Sequence, residues 1–160
     1  MAEQREQLAI RKVVSGGQTG VDRAALDVAL ARNLACGGWC PKGRLAEDGA
    51  IHERYPLRET PGDQYAERTA WNVRDSDGTL ILTWGPPSDG TAFTKEVADA
   101  LGKPCLVIDL AEPHEPGDAA AWLAQREIRT LNVAGPRASK CPFIYDEATA
   151  FLGRLLDPPE

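Results

Sequence analysis

The residues of this chain best suited to chemistry form a glycine-rich turn near the amino terminus. They follow a short β-branched run and are Gly16, Gly17, Gln18, Thr19 and Gly20. Glycines let the backbone bend sharply and let a ligand approach it closely. A helix that starts at such a turn offers unpaired N–H groups and a positive dipole end, which favour an anion. The turn predicts a phosphate- or anion-binding site, or else a tight strand–helix connection that needs glycine for packing.

The helix predicted after this turn has an apolar stripe at i, i+3, i+4 and i+7 from Val21. Thr19 is predicted to be its N-cap, with Asp22 three residues later in the manner of a capping box. The turn is not a P-loop, because no Lys-Ser/Thr pair follows it, and it is not a strict G-x-G-x-x-G motif either. The pattern therefore indicates a class of ligand rather than its identity.

Three further turns carry a cation or a bare backbone suited to phosphate. They contain Lys42 and Arg44, then Gly85, Asp89, Gly90 and Thr91, then Arg137. Each arginine could equally be a solvated turn residue. Thr94, one helical turn after Gly90, is either a hydroxyl that faces a ligand or an ordinary helix residue.

A predicted helix over 64–74 places Arg68 and Asn72 near one face, ahead of the pair Ser76-Asp77. Arg68 is a candidate ligand contact or an ion-paired helix residue. Asp75 and Asp77 are expected to form an Asx turn that leads into the next strand. The four tryptophans are expected in the core, although Trp71 and Trp84 could stack on a ring.

Apolar runs and helical spacings alternate along the chain. Beyond the first strand and helix, strands are predicted over 34–39, 79–84, 104–109 and 128–133. Helices are predicted over 64–74, 91–101, 117–126 and 145–156. In the helix predicted over 91–101, Phe93 and Leu101 stand at core spacing. The stretch 45–63 reads as irregular, and a loop this long is often functional or carries short structure of its own.

This alternation predicts an α/β fold with three layers and a doubly wound, mainly parallel sheet. One domain is expected over 11–157, after a flexible amino terminus over 1–10. In such sheets ligands bind outside the carboxyl ends of the strands, near the switch in strand order. The turns described above all follow strands, so we expect them to meet at that edge.

Composition excludes several classes of partner. The chain has 160 residues and a formal charge of −6, which argues against general affinity for nucleic acid or anionic membranes. It contains no apolar run of about 20 residues and no signal-peptide core.

The cysteines have neither CxxC nor zinc-finger spacing; they are Cys36, Cys40, Cys105 and Cys141. No metal site is predicted, and reduced cysteines in a cytoplasmic protein are the simplest account.

Five motifs occur in order along the chain, at Ser15–Asp27, Pro41–Arg44, Arg68–Thr79, Gly90–Thr94 and Leu131–Ser139. They resemble the molybdenum cofactor carrier family, and the match runs over about residues 12–155. That family lies in a Rossmann-like group of nucleotide-ligand sensors, which also includes lysine decarboxylase-like proteins and cytokinin-activating phosphoribohydrolases. The resemblance implies a Rossmann-like fold, a molybdenum cofactor or nucleotide ligand, and a homo-oligomer, either a dimer or a tetramer.

The phosphoribohydrolases of this group place an arginine eight residues before a Ser-Asp pair, as Arg68 stands before Ser76-Asp77. Their next motif is Pro-Gly-Gly-x-Gly-Thr-x-x-Glu, in which the glutamate works beside the arginine. Here Thr94 takes the place of that glutamate, and Glu96 follows two residues later. Since a threonine supplies no carboxylate, the resemblance favours binding over hydrolysis.

We therefore expect a protein that binds a small phosphate-bearing ligand, nucleotide-like or pterin, and carries or stores the molybdenum cofactor. Backbone N–H groups of 16–20 and 90–91 would hold phosphate, while Arg68 and Asn72 would meet phosphate or sugar. The alternatives are a nucleotide N-glycosidic or phosphoester hydrolase, with Asp89 or Glu96 as its carboxylate, and a nucleotide-sensing module.

Overall fold

The centre of the molecule is a five-stranded parallel sheet. The structure is a computed structural model that describes residues 10–87 and 89–156. In spatial order the strands are β2 (Ala35–Gly37), β1 (Lys12–Val14), β9 (Thr130–Ala134), β7 (Gly78–Thr83) and β8 (Cys105–Asp109). Every residue of β7 is buried, as its continuous apolar run predicts for a strand covered on both faces.

In the described part of the chain, five helices cover the two faces of the sheet. They are α1 (Val21–Ala31), α2 (Tyr65–Arg74), α3 (Asp89–Ala100), α4 (Pro116–Gln125) and α5 (Ile144–Leu156). α1, α4 and α5 bury their apolar stripes in one core with Leu80 and Leu82 of β7. α2 and α3 contact each other and lie on the opposite face, so the layers are helices, sheet and helices. The predicted three-layer, doubly wound fold is confirmed.

The segment predicted as irregular over 45–63 contributes strands to two short strand pairs. β3 (Trp39–Cys40) pairs in parallel with β6 (Arg58–Glu59), and β4 (Leu45–Ala46) pairs antiparallel with β5 (Gly49–Ala50). A second small core lies beneath them, formed by Leu26, Cys40, Ala46, Ile51 and Tyr55. The expectation that so long a segment carries structure of its own is confirmed.

The order of the strands reverses in the middle of the sheet. From β1 the chain moves outward to β2, whereas β7 and β8 lie on the other side and β9 fills the gap between them. The carboxyl ends of β1, β9 and β7 are therefore neighbours at the switch point, where a ligand site is expected. Backbones approach closely there: a Cβ added at Gly135 would lie 2.3 Å from the carbonyl oxygen of Leu82.

Three local predictions were wrong. The strand predicted over 34–39 breaks at Gly38 (φ 123°), where only glycine fits, because an added Cβ would lie 2.4 Å from the Ser15 carbonyl oxygen. The N-cap of α1 is Gly20, not Thr19, and no side chain caps the helix. The hydroxyl of Thr19 instead accepts a hydrogen bond from the N–H of Ala138, so the predicted capping box does not form.

The apolar surface also differs from the prediction. Trp84 follows the end of β7 and is 42% exposed, while Phe93 and Leu101 are 36% and 48% exposed. Phe93 lies on α3 and Leu101 follows its last residue, and this side of the helix is only partly covered by the rest of the chain.

Two predicted features lie wholly or partly outside the described residues: the flexible amino terminus over 1–10, of which only residue 10 is described, and Ser88 in the loop over 85–91. Among the described residues, no helix has the length and apolarity that a membrane span requires. Within the same ranges, no three His, Cys, Asp or Glu side chains are grouped as metal ligands would be. The four cysteine thiols are free.

Candidate functional site

A cavity of about 560 Å³ lies at the carboxyl edge of the sheet, where β1, β9 and β7 end. Its walls come from the turn after β1, from the loops after β7 and β9, and from α2 and α3. Cavities of roughly 300–1,000 Å³ suit ligands of nucleotide size. The position agrees with the rule for doubly wound sheets.

The cavity brings together part of the predicted set. The predicted residues that line it are Gly16, Gln18, Arg68, Asn72, Asp89, Gly90, Thr91, Thr94 and Arg137. The other predicted residues are not among its described lining residues: Gly17, Thr19, Gly20, Lys42, Arg44, Ser76, Asp77 and Gly85.

Arg68 lies on α2 and reaches across the cavity floor to the glycine turn. Its Nη1 donates to the carbonyl oxygen of Gly16 at 2.9 Å and lies 3.6 Å from Oδ2 of Asp22. A Cβ added at Gly16 would lie 2.1 Å from this Nη1, so only glycine leaves room for the guanidinium. The Cζ of Arg68 also lies 5.2 Å from the centre of the Tyr65 ring. The side chain is 11% exposed and is held in one place by these contacts.

Asp22 was not predicted as a site residue, yet it lines the cavity from the first turn of α1. Its carboxylate accepts a hydrogen bond from the N–H of Gln18 at 3.3 Å. Burial raises the pKa of Asp22, while Arg68 and the nearby backbone N–H groups partly oppose that rise. A carboxylate buried this deeply is stable only with those charged and hydrogen-bonding partners beside it.

Three cations line the cavity, and each has a carboxylate nearby at more than ordinary hydrogen-bond distance. The distances are 3.6 Å for Arg68–Asp22, 3.5 Å for Arg137–Glu47 and 3.4 Å for Lys140–Asp89. Charge-assisted N–H···O bonds are about 2.7–2.9 Å long. The Nε of Arg137 is buried and has no hydrogen-bond partner among the described residues. These cations therefore keep donors that a ligand anion can use.

Glu47 connects three loops beside the cavity. It accepts hydrogen bonds from the hydroxyl of Thr19 and from the N–H and hydroxyl of Ser139, and it lies near Arg137. Burial raises the pKa of Glu47, but the hydrogen bonds from Ser139 and Thr19 outweigh burial and lower it overall. Thr19 is thus a link between loops in this structure.

Arg44 is occupied by the protein itself. Its guanidinium donates to the carbonyl oxygens of Ile51, His52, Tyr55 and Leu57, at 2.8–3.3 Å. The side chain therefore organises the segment after β5 and has little left to offer a ligand. Lys42 is exposed in the preceding turn, where its N–H donates to the carbonyl of Gly62.

Asn72 lines the cavity, but its amide is already paired in both directions. Its Oδ1 accepts from the N–H of Trp39 at 2.7 Å, and its Nδ2 donates to the Trp39 carbonyl at 3.0 Å. Asn72 therefore attaches α2 to β3.

Ser76 and Asp77 lie before β7, at the opposite edge of the sheet. The Asp77 carboxylate accepts from the N–H groups of Arg129 and Thr130, so it fixes the start of β9.

The second predicted loop enters the cavity through its helical end. Gly90, Thr91 and Thr94 of α3 line the wall, and the hydroxyl of Thr94 donates to the carbonyl of Gly90 at 2.9 Å. Gly85 has φ 92°, and its N–H donates to the carboxylate of Asp109. This hydrogen bond helps to fix the conformation of the loop. Glu96 is exposed and is not among the described lining residues.

An aromatic rim borders the same cavity: Tyr65, Trp84 and Phe93 line it, and all are partly exposed. The Trp84 ring also meets Phe143 edge to face, with 4.9 Å between the ring centres. Exposed rings beside donors and cations can stack on a planar ligand ring.

Sequence reasoning missed Asp22, Asn132 and Lys140 as lining residues. Asn132 was visible as a polar residue inside an otherwise apolar strand, and its Nδ2 donates to the hydroxyl of Thr79 at 3.2 Å. Asp22 was visible at the helix start, but it was assigned to a cap. Lys140 follows the Arg137 turn and carried no signal of its own.

Comparisons with known proteins agree with this architecture. The model of the circularly permuted YpsA SLOG family matches residues 13–156. Among solved structures, the chain is similar to a crystal structure named "Putative molybdenum carrier protein" from Syntrophus aciditrophicus SB. The two are 47% identical with a TM-score of 0.90, and the match covers 93% of this chain and 96% of the other. None of the curated proteins matches this chain.

Proposed function

The chain belongs to the circularly permuted YpsA SLOG family, and we propose that its cavity binds a small phosphate-bearing ligand, either nucleotide-like or a pterin. The observation that carries the proposal is the set of loosely paired cations Arg68, Arg137 and Lys140. With the carboxylates of Asp22 and Asp89 in the same lining, they leave one net positive charge around the cavity of a chain whose formal charge is −6. That combination suits a small anion better than nucleic acid or an anionic membrane.

The aromatic rim supports a ligand that also carries a planar ring. Tyr65, Trp84 and Phe93 offer partly exposed faces at the cavity mouth. Ring stacking contributes about 0.5–1.5 kcal/mol beyond simple burial. A pterin with a phosphate and a nucleotide both have a ring at one end and an anion at the other.

The similarity to a protein named as a molybdenum carrier favours the molybdenum cofactor as cargo. We propose that this chain carries or stores it in the cytoplasm. In that role Arg137 and Lys140 hold the anionic end, Arg68 orients the middle of the cargo, and the rim covers the ring. The backbone at Gly90 and Thr91 approaches the same anionic end.

The proposal is tested by calorimetric titration with molybdopterin, kept anaerobic, and with nucleoside monophosphates and the matching nucleosides. We expect the phosphate-bearing compounds to bind at least about tenfold more tightly than their phosphate-free partners, the equivalent of one charge-assisted contact. Lys140→Gln removes a cation of the cavity and should abolish most of that difference. Lys95→Gln is the matched control, because Lys95 lies on α3, pairs with Asp99 and is outside the described lining.

Equal affinity for compounds with and without phosphate would contradict the proposal. A wild-type chain that binds nucleotide but not molybdopterin would retain the anion site and refute the carrier role. Transfer of bound cofactor to an apo-molybdoenzyme, faster than from free cofactor alone, is the positive test of that role.

One observation keeps hydrolysis as a second candidate: the carboxylate of Asp89 lines the cavity and is 72% exposed. Asp89 is the residue that could supply the group that Thr94 lacks. Turnover of a nucleoside monophosphate that is lost in Asp89→Asn and kept in Glu96→Gln would support this candidate. Binding without turnover supports the carrier or a nucleotide sensor instead.

We further propose a homo-oligomer, a dimer or tetramer, that uses the exposed face of α3. Phe93 and Leu101 are eight positions apart, with the half-buried Val97 between them at i+4. Residues with that spacing form one continuous stripe. A second copy of the chain would bury this stripe.

A further inference from the structure

The amides of the glycine turn are engaged before any ligand arrives. The N–H group of Gln18 donates to the carboxylate of Asp22 at 3.3 Å. In an anion-binding turn such N–H groups are the donors that a phosphate would use. The side chain of Asp22 therefore stands where the phosphate of a ligand was expected.

Two further amides of the turn have side-chain partners as well. The N–H of Gly17 points to the hydroxyl of Ser15 at 3.4 Å, and the N–H of Thr19 donates to Oε1 of Gln18 at 3.1 Å. At the start of α1, the N–H of Val21 donates to the carbonyl of Pro136 at 3.3 Å. A phosphate entering this turn would find the N–H groups of Gly17, Gln18 and Thr19 already engaged.

Hydrogen bonds to backbone carbonyls also hold Asp22 and the turn in place. The hydroxyl of Ser15 donates to its backbone carbonyl at 2.8 Å, and Arg23 donates from both Nε and Nη2 to the carbonyl of Gly17. Asp22 is near the positive end of α1, which stabilises a carboxylate. Its side chain is 8% exposed and still lines the cavity, so it is a rigid wall facing the ligand.

We infer that Asp22 determines specificity at this site: it occupies the anion position of the glycine turn, excludes a ligand phosphate from that turn, and directs the phosphate towards Arg137 and Lys140. The inference rests on the proposed function, because it assigns the two ends of the ligand which that function requires. The part of the ligand beside Asp22 then carries hydrogen-bond donors, such as sugar hydroxyls or ring N–H groups, since a carboxylate is an acceptor.

The test follows backbone amides by NMR while inorganic phosphate is titrated into the ¹⁵N-labelled full chain. In the wild type we expect shifts at Gly90, Thr91 and Lys140, and none at residues 16–18. In Asp22→Ser the carboxylate that accepts from the N–H of Gln18 is removed, so the amides of 16–18 become accessible to phosphate. Their signals should then respond, and the affinity for phosphate should rise about tenfold or more, as for one added bond to a charged group.

Asp22→Asn is the second variant. It keeps the size of the side chain and removes the charge, so phosphate affinity should rise in the same direction by a smaller factor. Thermal unfolding of both variants shows whether the fold is retained, and the wild-type titration needs no substitution at all. The inference is overturned if the wild-type amides of 16–18 respond first, or if neither variant gains affinity for phosphate.

The outcomes separate this inference from the proposed function. If no cavity amide of the wild type responds to phosphate, nucleotide or molybdopterin, the proposed function fails. A gain of phosphate binding at 16–18 in Asp22→Ser would still support the role of Asp22. If the wild type binds at 90–91 and Asp22→Ser gains nothing, the proposed function survives and the inference does not.

Discussion

Gly16→Ala is the sharpest perturbation that the structure offers at the cavity floor. The added Cβ would lie 2.1 Å from Nη1, 2.6 Å from Cζ and 2.8 Å from Cδ of Arg68. Non-bonded heavy atoms prefer about 3.5–4.0 Å, so the guanidinium must withdraw by more than about 1 Å. Gly16 does not have a positive φ, and the obstructing atoms belong to a flexible side chain. The backbone therefore accepts alanine while Arg68 moves.

The expected magnitude follows from the bond that is lost. Arg68 gives up its 2.9 Å contact with the Gly16 carbonyl and its fixed orientation over the cavity. A hydrogen bond to a charged group contributes about 1.5–3 kcal/mol. If Arg68 makes one such bond to the ligand, Gly16→Ala should weaken binding by about ten- to a hundredfold.

The assay is calorimetric titration with the tightest-binding nucleoside monophosphate or pterin, together with urea unfolding of each variant. Gly117→Ala is the matched control, because nothing lies within 4 Å of its added Cβ and it sits in α4. Arg68→Gln should weaken binding to a similar degree, and the double variant should lose little more than either single one. Unchanged affinity in Gly16→Ala, with the fold intact, would refute the role assigned to Arg68.

Three further predictions concern the rest of the molecule. Arg44→Lys should lower the free energy of unfolding by about 2–4 kcal/mol in urea denaturation, because lysine cannot reach all four carbonyls; an unchanged midpoint would contradict this. Burial and donation to Asp27 raise the pKa of Tyr145 to about 12, so stability should fall as the pH rises from about 10 to about 12, because the unfolded chain loses that proton first. Tyr145→Phe should flatten this part of the profile, and an equally steep decline would disprove it. Leu101→Glu should dissociate the oligomer in light scattering, and an unaltered mass would argue against the α3 face.

The sequence predicts the order of elements well, because burial leaves a direct pattern. The run at 80–82 is apolar on both faces of its strand, and the stripe of α1 repeats at helical spacing. The alternation of these patterns limits the topology to a doubly wound sheet. The edge where the turns meet follows from that topology alone, and nine of the residues named from the sequence line the cavity there.

The hydrogen bonds at that edge could not be predicted. Arg44 and Arg68 are both candidate ligand contacts in the sequence, yet one binds four backbone carbonyls and the other faces the cavity. Which hydrogen-bond donors are already used within the protein depends on atoms brought together from distant parts of the chain. The position of Asp22 against the turn, and of Thr19 against Ala138, depends on the same long-range contacts.

Exposure was also mispredicted where one chain does not cover its own apolar face. Phe93 and Leu101 have the spacing of core residues, and the pattern does not tell whether the same chain or a second copy covers them. Trp84 was expected in the core because tryptophan is large and apolar, but it stands at the rim of the cavity.

The central claim is that this cavity binds a phosphate-bearing ring compound through Arg68 and its neighbouring cations. The most direct measurement is mass spectrometry of the small molecules that heat releases from freshly purified wild type and Arg68→Ala, with molybdenum measured in parallel. We predict a phosphate-bearing pterin or nucleotide from the wild type and much less of it from Arg68→Ala, with molybdenum accompanying a pterin. Release of equal amounts from both proteins, or of a compound without phosphate, would contradict the claim.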